Sequence, residues 1–144
     1  MSHVQRIVAA NEAVVRDGDA DAISRFFSPS YLVNGADGPR TVGWAGVQTY
    51  LERLHRAFSD VRVDVVVLCE SGDVIAWQRT VRATHSGPYL GFPASGVPIT
   101  WRDMVASRFE DDRIVEEWVV TDLAEQLLLG RKRGRGRQRQ ASTA

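Results

Sequence analysis

Apolar positions along the first 60 residues recur at helical spacing, and those that follow alternate or run together as strands do. Val4, Ile7, Val8, Asn11, Val14 and Val15 form one stripe, which predicts a helix over about residues 3–16 that stops at Asp17-Gly18. A capping acid at Asp19 opens a short second helix that must end before Pro29. Residues 31–34 (YLVN) read as a short strand, and GADGPRTVG reads as a loop. Between Trp44 and Ser59, Val47, Tyr50, Leu51, Leu54 and Phe58 share a stripe, so a third helix is expected there, ending at Asp60. Strands are expected over residues 61–69, 73–84, 98–109 and 113–121, with turns at Ser71-Gly72 and Asp111-Asp112 and a last helix from near Asp122 to Gly130. Helices first and an antiparallel meander afterwards predict an α+β fold, with helices covering one face of a curved sheet.

Residues 85–98 interrupt the strands with Gly87, Pro88, Gly91, Pro93, Gly96 and Pro98, which is turn chemistry. Tyr89, Leu90 and Phe92 sit in the same turn. Large apolar groups on a loop predict a flap folded over a cavity or against another subunit.

The length of 144 residues suits one core, expected over residues 1–130. No apolar stretch is long enough to span a membrane and the N-terminus is interrupted by charges, so a cytoplasmic protein is expected. Formal net charge is zero, yet the last fourteen residues, RKRGRGRQRQASTA, hold six of the eighteen Lys and Arg and no acid. Residues 1–130, with twelve basic and eighteen acidic side chains, carry −6. The basic segment 131–144 has no apolar side chain larger than Ala, so a disordered tail is expected; without aromatic residues for base stacking, it does not point to nucleic acid. The lone Cys69 is expected in the core, and His3, His55 and His85 lie in separate elements without metal-ligand spacing. No Gly-rich dinucleotide loop follows a strand, so neither metal nor cofactor is expected.

Strand alternation separates two faces and exposes the polar residues on the apolar one. In the strand from Ile99, the set Ile99, Trp101, Asp103, Val105, Ser107 and Phe109 is the more apolar; in the preceding strand it is Ile75, Trp77, Arg79, Val81, Ala83 and His85. Asp103, Arg79 and His85 therefore interrupt inward faces. Either they share a pocket, or Arg79 and Asp103 form a satisfied pair that fixes strand register. Asp122 has the position of a helix cap, with Glu125 three residues on.

The ordered elements His85-Ser86-Gly87, Gly91-Phe92-Pro93, Gly96, Arg108-Phe109-Glu110-Asp111, Ile114-Val115-Glu116-Glu117-Trp118 and Asp122 resemble the SnoaL-like polyketide cyclase family of the nuclear transport factor 2-like superfamily. The resemblance implies a cone with an internal pocket, formed by N-terminal helices on a curved antiparallel sheet whose other face supports a homodimer or higher homo-oligomer. It also implies a functional role for Asp122. Where the ring-closing branch carries its catalytic acid and His, this chain has Val119 and Val105. The superfamily spans cyclases, isomerases, cofactor-free hydroxylases, epoxide hydrolases and domains without chemistry.

Residues and resemblance together predict a cofactor-independent cyclase or isomerase that moves a proton on a small apolar, polyketide-like intermediate of natural-product biosynthesis. The base is Asp103 by alternation or Asp122 by resemblance, with Glu117 a further acid on the same strands. Arg79 or His85 would stabilise an enolate oxygen. Trp77, Trp101, Tyr50, Leu54 and Phe92 would line the cavity. A cofactor-free hydroxylase and a non-catalytic ligand-binding or dimerisation domain are the alternatives.

Overall fold

A computed structural model describes residues 1–143. A capping box opens α1 (His3–Ala10): the Ser2 hydroxyl accepts from the Gln5 amide, and the Gln5 side chain accepts from the Ser2 amide. The helix widens into a π-helical turn over Asn11–Arg16, a departure from regular α-helix that is rare and concentrated at functional sites. His55 Nε2 donates to the Val15 carbonyl at the end of this turn at 2.8 Å, so one orphan carbonyl of the helix terminus is satisfied. A 3₁₀ turn (Ala20–Ala22) and α2 (Ile23–Phe26) follow, and the chain becomes extended at Phe27.

The sheet has six strands in the order β2-β1-β6-β5-β4-β3: β1 Phe27–Gly35, β2 Gly38–Thr41, β3 Phe58–Ser71, β4 Val74–His85, β5 Pro98–Glu110 and β6 Arg113–Thr121. Strands β3 to β6 form the expected antiparallel meander. The sheet as a whole is mixed, because β1 lies parallel to β6. The stretch read as a loop contains β2, a four-residue edge strand paired with β1. Helix α3 (Gly43–Ala57) passes directly into β3 at Phe58, and Asp60, expected to end the helix, sits in the left-handed region where β3 shifts register.

The last helix, α4, does not stop at Gly130 but covers Leu123–Thr143, so the segment expected to be disordered is helical through Thr143; Ala144 lies outside the described residues. Cys69, expected in the core, is exposed on β3. Among the described residues no helix is long and apolar enough to cross a membrane.

Two apolar clusters fill the space between sheet and helices. One joins α1 and α2 to the β4–β6 strands around Trp77, Val105 and Phe109. The other joins α3 and α4 to the far ends of β4 and β5 around Phe58, Ile99 and Trp101. Burying each side chain of this size contributes roughly 1.5–3 kcal/mol.

Candidate active site

Register across β4, β5 and β6 builds three inward rows. Arg79 stands opposite Asp103, and Asp103 opposite Thr121. The next row along is Trp77, Val105 and Val119; the one after joins Ser107 to Glu117. Every odd residue of β5 from Ile99 to Phe109 is buried, so the alternation places the inward face correctly. Val105 and Val119 pair across β5 and β6, and the ionisable groups flank that pair on either side.

Arg79 Nε donates to Asp103 Oδ2 at 2.8 Å, and its Nη1 donates to Asn11 Oδ1 at 3.0 Å. Asn11 is held in turn by donation to the Ile7 carbonyl at 2.9 Å, from the π-helical turn. The guanidinium lies over Trp77, 5.4 Å from the ring centroid, a cation–π contact. Burial opposes the Arg79 charge, but the neighbouring Asp103 carboxylate outweighs it with help from Tyr50 and Glu117, so the guanidinium pKa is raised. A mutually satisfied Arg79–Asp103 pair is therefore what the structure contains.

Glu117 is buried between two hydroxyls: Tyr31 donates to Oε1 and Ser107 to Oε2. Ser107 also accepts from Trp77 Nε1 at 2.9 Å. Burial pushes the Glu117 carboxyl above its ordinary value; the two hydroxyls and Arg79 pull it back, and Asp103 adds to the rise. Burial, then the charge of Glu117, raises the Tyr31 phenol well above its normal range. Tyr50, between the two apolar clusters, is pushed up to about 12 by burial, with Arg79 opposing.

Of these groups Asn11, Trp77, Arg79 and Glu117 border, with Ile7, a cavity of about 20 Å³, enough for one water. A larger open cleft of about 460 Å³ lies elsewhere, between α1, α2 and the β5–β6 turn, and is lined by Arg6, Arg25, Arg113 and three carboxylates. Its charges are unsuited to an apolar ligand, so the smaller interior space is the better candidate.

Asp103, Arg79, Glu117, Trp77 and Tyr50 thus converge, and three residues that sequence reasoning did not assign to the site join them: Asn11, Tyr31 and Ser107. Asn11 carried a signal, as a polar residue in an otherwise apolar helical stripe. Trp101 and Leu54 do not line the cavity; both are almost fully buried in the second apolar cluster. Phe92 packs on that cluster as well, and so does Tyr89, while Leu90 between them points outward at 67% exposure.

Asp122 ties strand to helix. Its carboxylate accepts from the Arg102 amide at 2.7 Å and from Gln126 Nε2 at 3.2 Å, so its side-chain partner on α4 is Gln126 rather than Glu125. His85 is fully buried, stacked on Phe58 with centroids 5.2 Å apart; Nδ1 lies 3.3 Å from Ser95 Oγ, and Nε2 has no hydrogen-bond partner among the described residues. Burial lowers its pKa from the ordinary 6.5, against a backbone hydrogen bond with Gly87 that raises it. Between the lowered value and 6.5 the unfolded chain binds more protons, so this contribution to stability is full above 6.5 and is lost as pH falls. The gain in unfolding free energy from about pH 5 to 7 is expected to shrink in His85→Leu; an equal gain in both proteins would place the titration elsewhere. Among the described residues no three His, Cys, Asp or Glu side chains are arranged to hold a metal ion.

A cone of helices on a curved sheet around a polar interior is the nuclear transport factor 2-like fold. The chain matches the SnoaL-like polyketide cyclase family over residues 5–128 and belongs to it. IdmH from Streptomyces antibioticus, a proposed polyketide cyclase, is 26% identical, with a TM-score of 0.72 over 90% of this chain and 98% of its own. AclR from Streptomyces galilaeus, a proposed hydroxylase, is 27% identical, with a TM-score of 0.73 over 91% and 98%. A proposed polyketide cyclase from Acidithiobacillus ferrooxidans superposes with a TM-score of 0.81 at 23% identity, covering 92% of this chain and 96% of that one, which is likeness of fold. No curated protein matches the chain.

Proposed function

We propose that this chain is a cofactor-independent cyclase or isomerase that shifts a proton on an apolar, polyketide-like substrate. The observation that carries the reading is Glu117: a buried carboxyl with raised proton affinity, held by Tyr31 and Ser107 and bordering the same cavity as Arg79. A raised pKa brings a carboxyl toward the operating pH, where it both takes and returns a proton. Arg79, fixed by Asp103 and Asn11, supplies positive charge for an oxygen that becomes an enolate. Asp103 then serves as the counter-ion of Arg79, and Asp122 as a strand-to-helix tie. The test is turnover of a panel of polyketide intermediates by the full chain; rearranged product of unchanged mass or loss of water, without oxygen uptake, is expected. Oxygen consumed in step with product would instead support the hydroxylase reading, which the likeness to AclR favours.

The outer face of the sheet supports a second proposal. One register row crosses it as Val66, Gln78, Met104 and Val120, with Trp118 nearby opposite Ala106. Val66, Met104, Trp118 and Val120 are 42–73% exposed. An apolar row spanning four strands suits a second copy related by a two-fold axis, where the same row meets itself. The protein is expected to sediment as a dimer and Val120→Glu as a monomer; a monomeric parent protein would remove this proposal.

A further inference from the structure

The free space at the interior site is small. About 20 Å³ of free space does not admit a polycyclic substrate, so some segment must move. Residues 86–97 cover the neighbouring apolar cluster, against which Tyr50 also packs: Tyr89 and Phe92 reverse the chain through Leu90 and Gly91, bond each other's backbone twice at 2.9 Å, and pack on that cluster. The Tyr89 ring lies 5.5 Å from that of Phe58, which contacts Trp101 at 4.8 Å.

Both ends of this segment are clamped. At one end the Ser86 and Gly87 amides donate to the Ala57 carbonyl at 2.9 Å, and a Cβ on Gly87 would lie 2.4 Å from the Arg56 carbonyl oxygen. At the other end His85 and Val97 close a backbone pair at 3.1 Å, and the Gly96 amide donates to the His85 carbonyl at 2.9 Å. Closure leaves His85 Nε2 buried without a partner, an unfavourable feature of the closed state.

Helix α4 presses on the second end. Leu123, Leu127, Gly130 and Gly134 form one buried stripe, which continues the core packing into the basic extension. A Cβ on Gly134 would come within 2.7 Å of the Ser95 carbonyl oxygen, so the helix backbone lies directly against the residue that bonds His85. Arg133 Nη2 also donates to the Pro98 carbonyl at 3.2 Å. The extension is a poor helix by itself: it contains two glycines and a row of like charges with no acid. Gly130, Arg133 and Gly134 hold it against residues 95–99.

We propose that the C-terminal extension of α4 is a latch on the 86–97 segment, and that lifting this segment is the route by which an apolar molecule reaches Tyr50, Arg79 and Asp103. The second half rests on the interior being the substrate site; the first does not.

Hydrogen exchange of the full-length protein tests the latch without any substrate. Gly134→Ala puts a methyl group against Ser95, whereas Gly136→Ala adds the same methyl where nothing lies within 4 Å. The Gly87, Phe92 and Gly96 amides are expected to exchange about tenfold faster in Gly134→Ala than in Gly136→Ala, with the paired amides of β4 and β5 unchanged. Arg133→Leu, which removes a hydrogen bond without a clash, should move the same amides by a smaller factor. Equal exchange in the two glycine variants, or acceleration spread equally over β4 and β5, overturns the latch. The route is read from the association rate of 1-anilinonaphthalene-8-sulfonate, expected to rise in Gly134→Ala; faster exchange with an unchanged association rate overturns the route. Neither reading depends on turnover, so the failure of the enzymatic proposal is seen separately.

Discussion

Arg79→Met is expected to cost about 3–5 kcal/mol of folding stability at neutral pH, because it strands a carboxylate inside the protein. The side chains of Arg79 and Asp103 are 14% and 5% exposed, so water screens the pair little. With Arg79 removed, Asp103 keeps its desolvation penalty without its counter-ion, and Asn11 loses the donor that its Oδ1 accepts from. Replacing both charges by apolar groups removes the penalty, so Arg79→Met/Asp103→Leu should recover most of the loss. Urea unfolding of the four proteins of this double-mutant cycle is the measurement. An Arg79→Met variant within about 1 kcal/mol of the parent would show that the pair carries little of the fold. Asp103→Asn separates structure from chemistry at the same position. A counter-ion role predicts lost stability; unchanged stability with lost turnover would return Asp103 to the role of base.

The elements that a single period could reveal were legible before the structure: α1, α3 and the four meander strands fall within a few residues of their expected ranges. Those that depend on partners elsewhere were not. β2 is four residues of Gly-Pro-Arg-Thr whose strand character comes from pairing with β1, and local turn chemistry outweighs it in the sequence. The parallel pairing of β1 with β6 joins segments about 85 residues apart, which no local pattern encodes. Cys69 lies in an apolar run that reads as core, yet the outer half of β3 extends beyond the helices and stays exposed. The basic extension reads as disordered because small and charged side chains bury little area; its buried Gly134, with Gly130 just before it, brings the helix backbone close to residues 95–99 instead. In the site, alternation alone located the Arg79–Asp103 pair, since both residues interrupt apolar faces of neighbouring strands. Tyr31 and Asn11 come from the N-terminal third of the chain, and only the pairing of β1 with β6 and the packing of the helix on the sheet bring them to Glu117 and Arg79.

Glu117→Gln should lower turnover by about 10²–10⁴, the range supplied by a positioned acid or base, while the protein stays folded. Gln has the shape of a protonated Glu: its amide oxygen accepts from one of the Tyr31 and Ser107 hydroxyls while its NH2 donates to the other, so the loss would belong to the proton rather than to packing. Stability should report the same group through pH. A buried carboxyl whose pKa is raised above the ordinary 4.5 keeps its proton in the folded chain to a higher pH than in the unfolded chain. In that window the folded state binds more protons, so stability falls as pH rises, the reverse of an ion-paired carboxylate. The penalty is absent below 4.5 and complete above the folded value. Glu117→Gln should therefore gain stability relative to the parent as pH rises through this window, with the difference level on either side. Chemical unfolding at a series of pH values measures it directly. A constant difference would mean that Glu117 titrates normally and that burial does not tune it; full turnover in Glu117→Gln would remove it as the group that moves the proton.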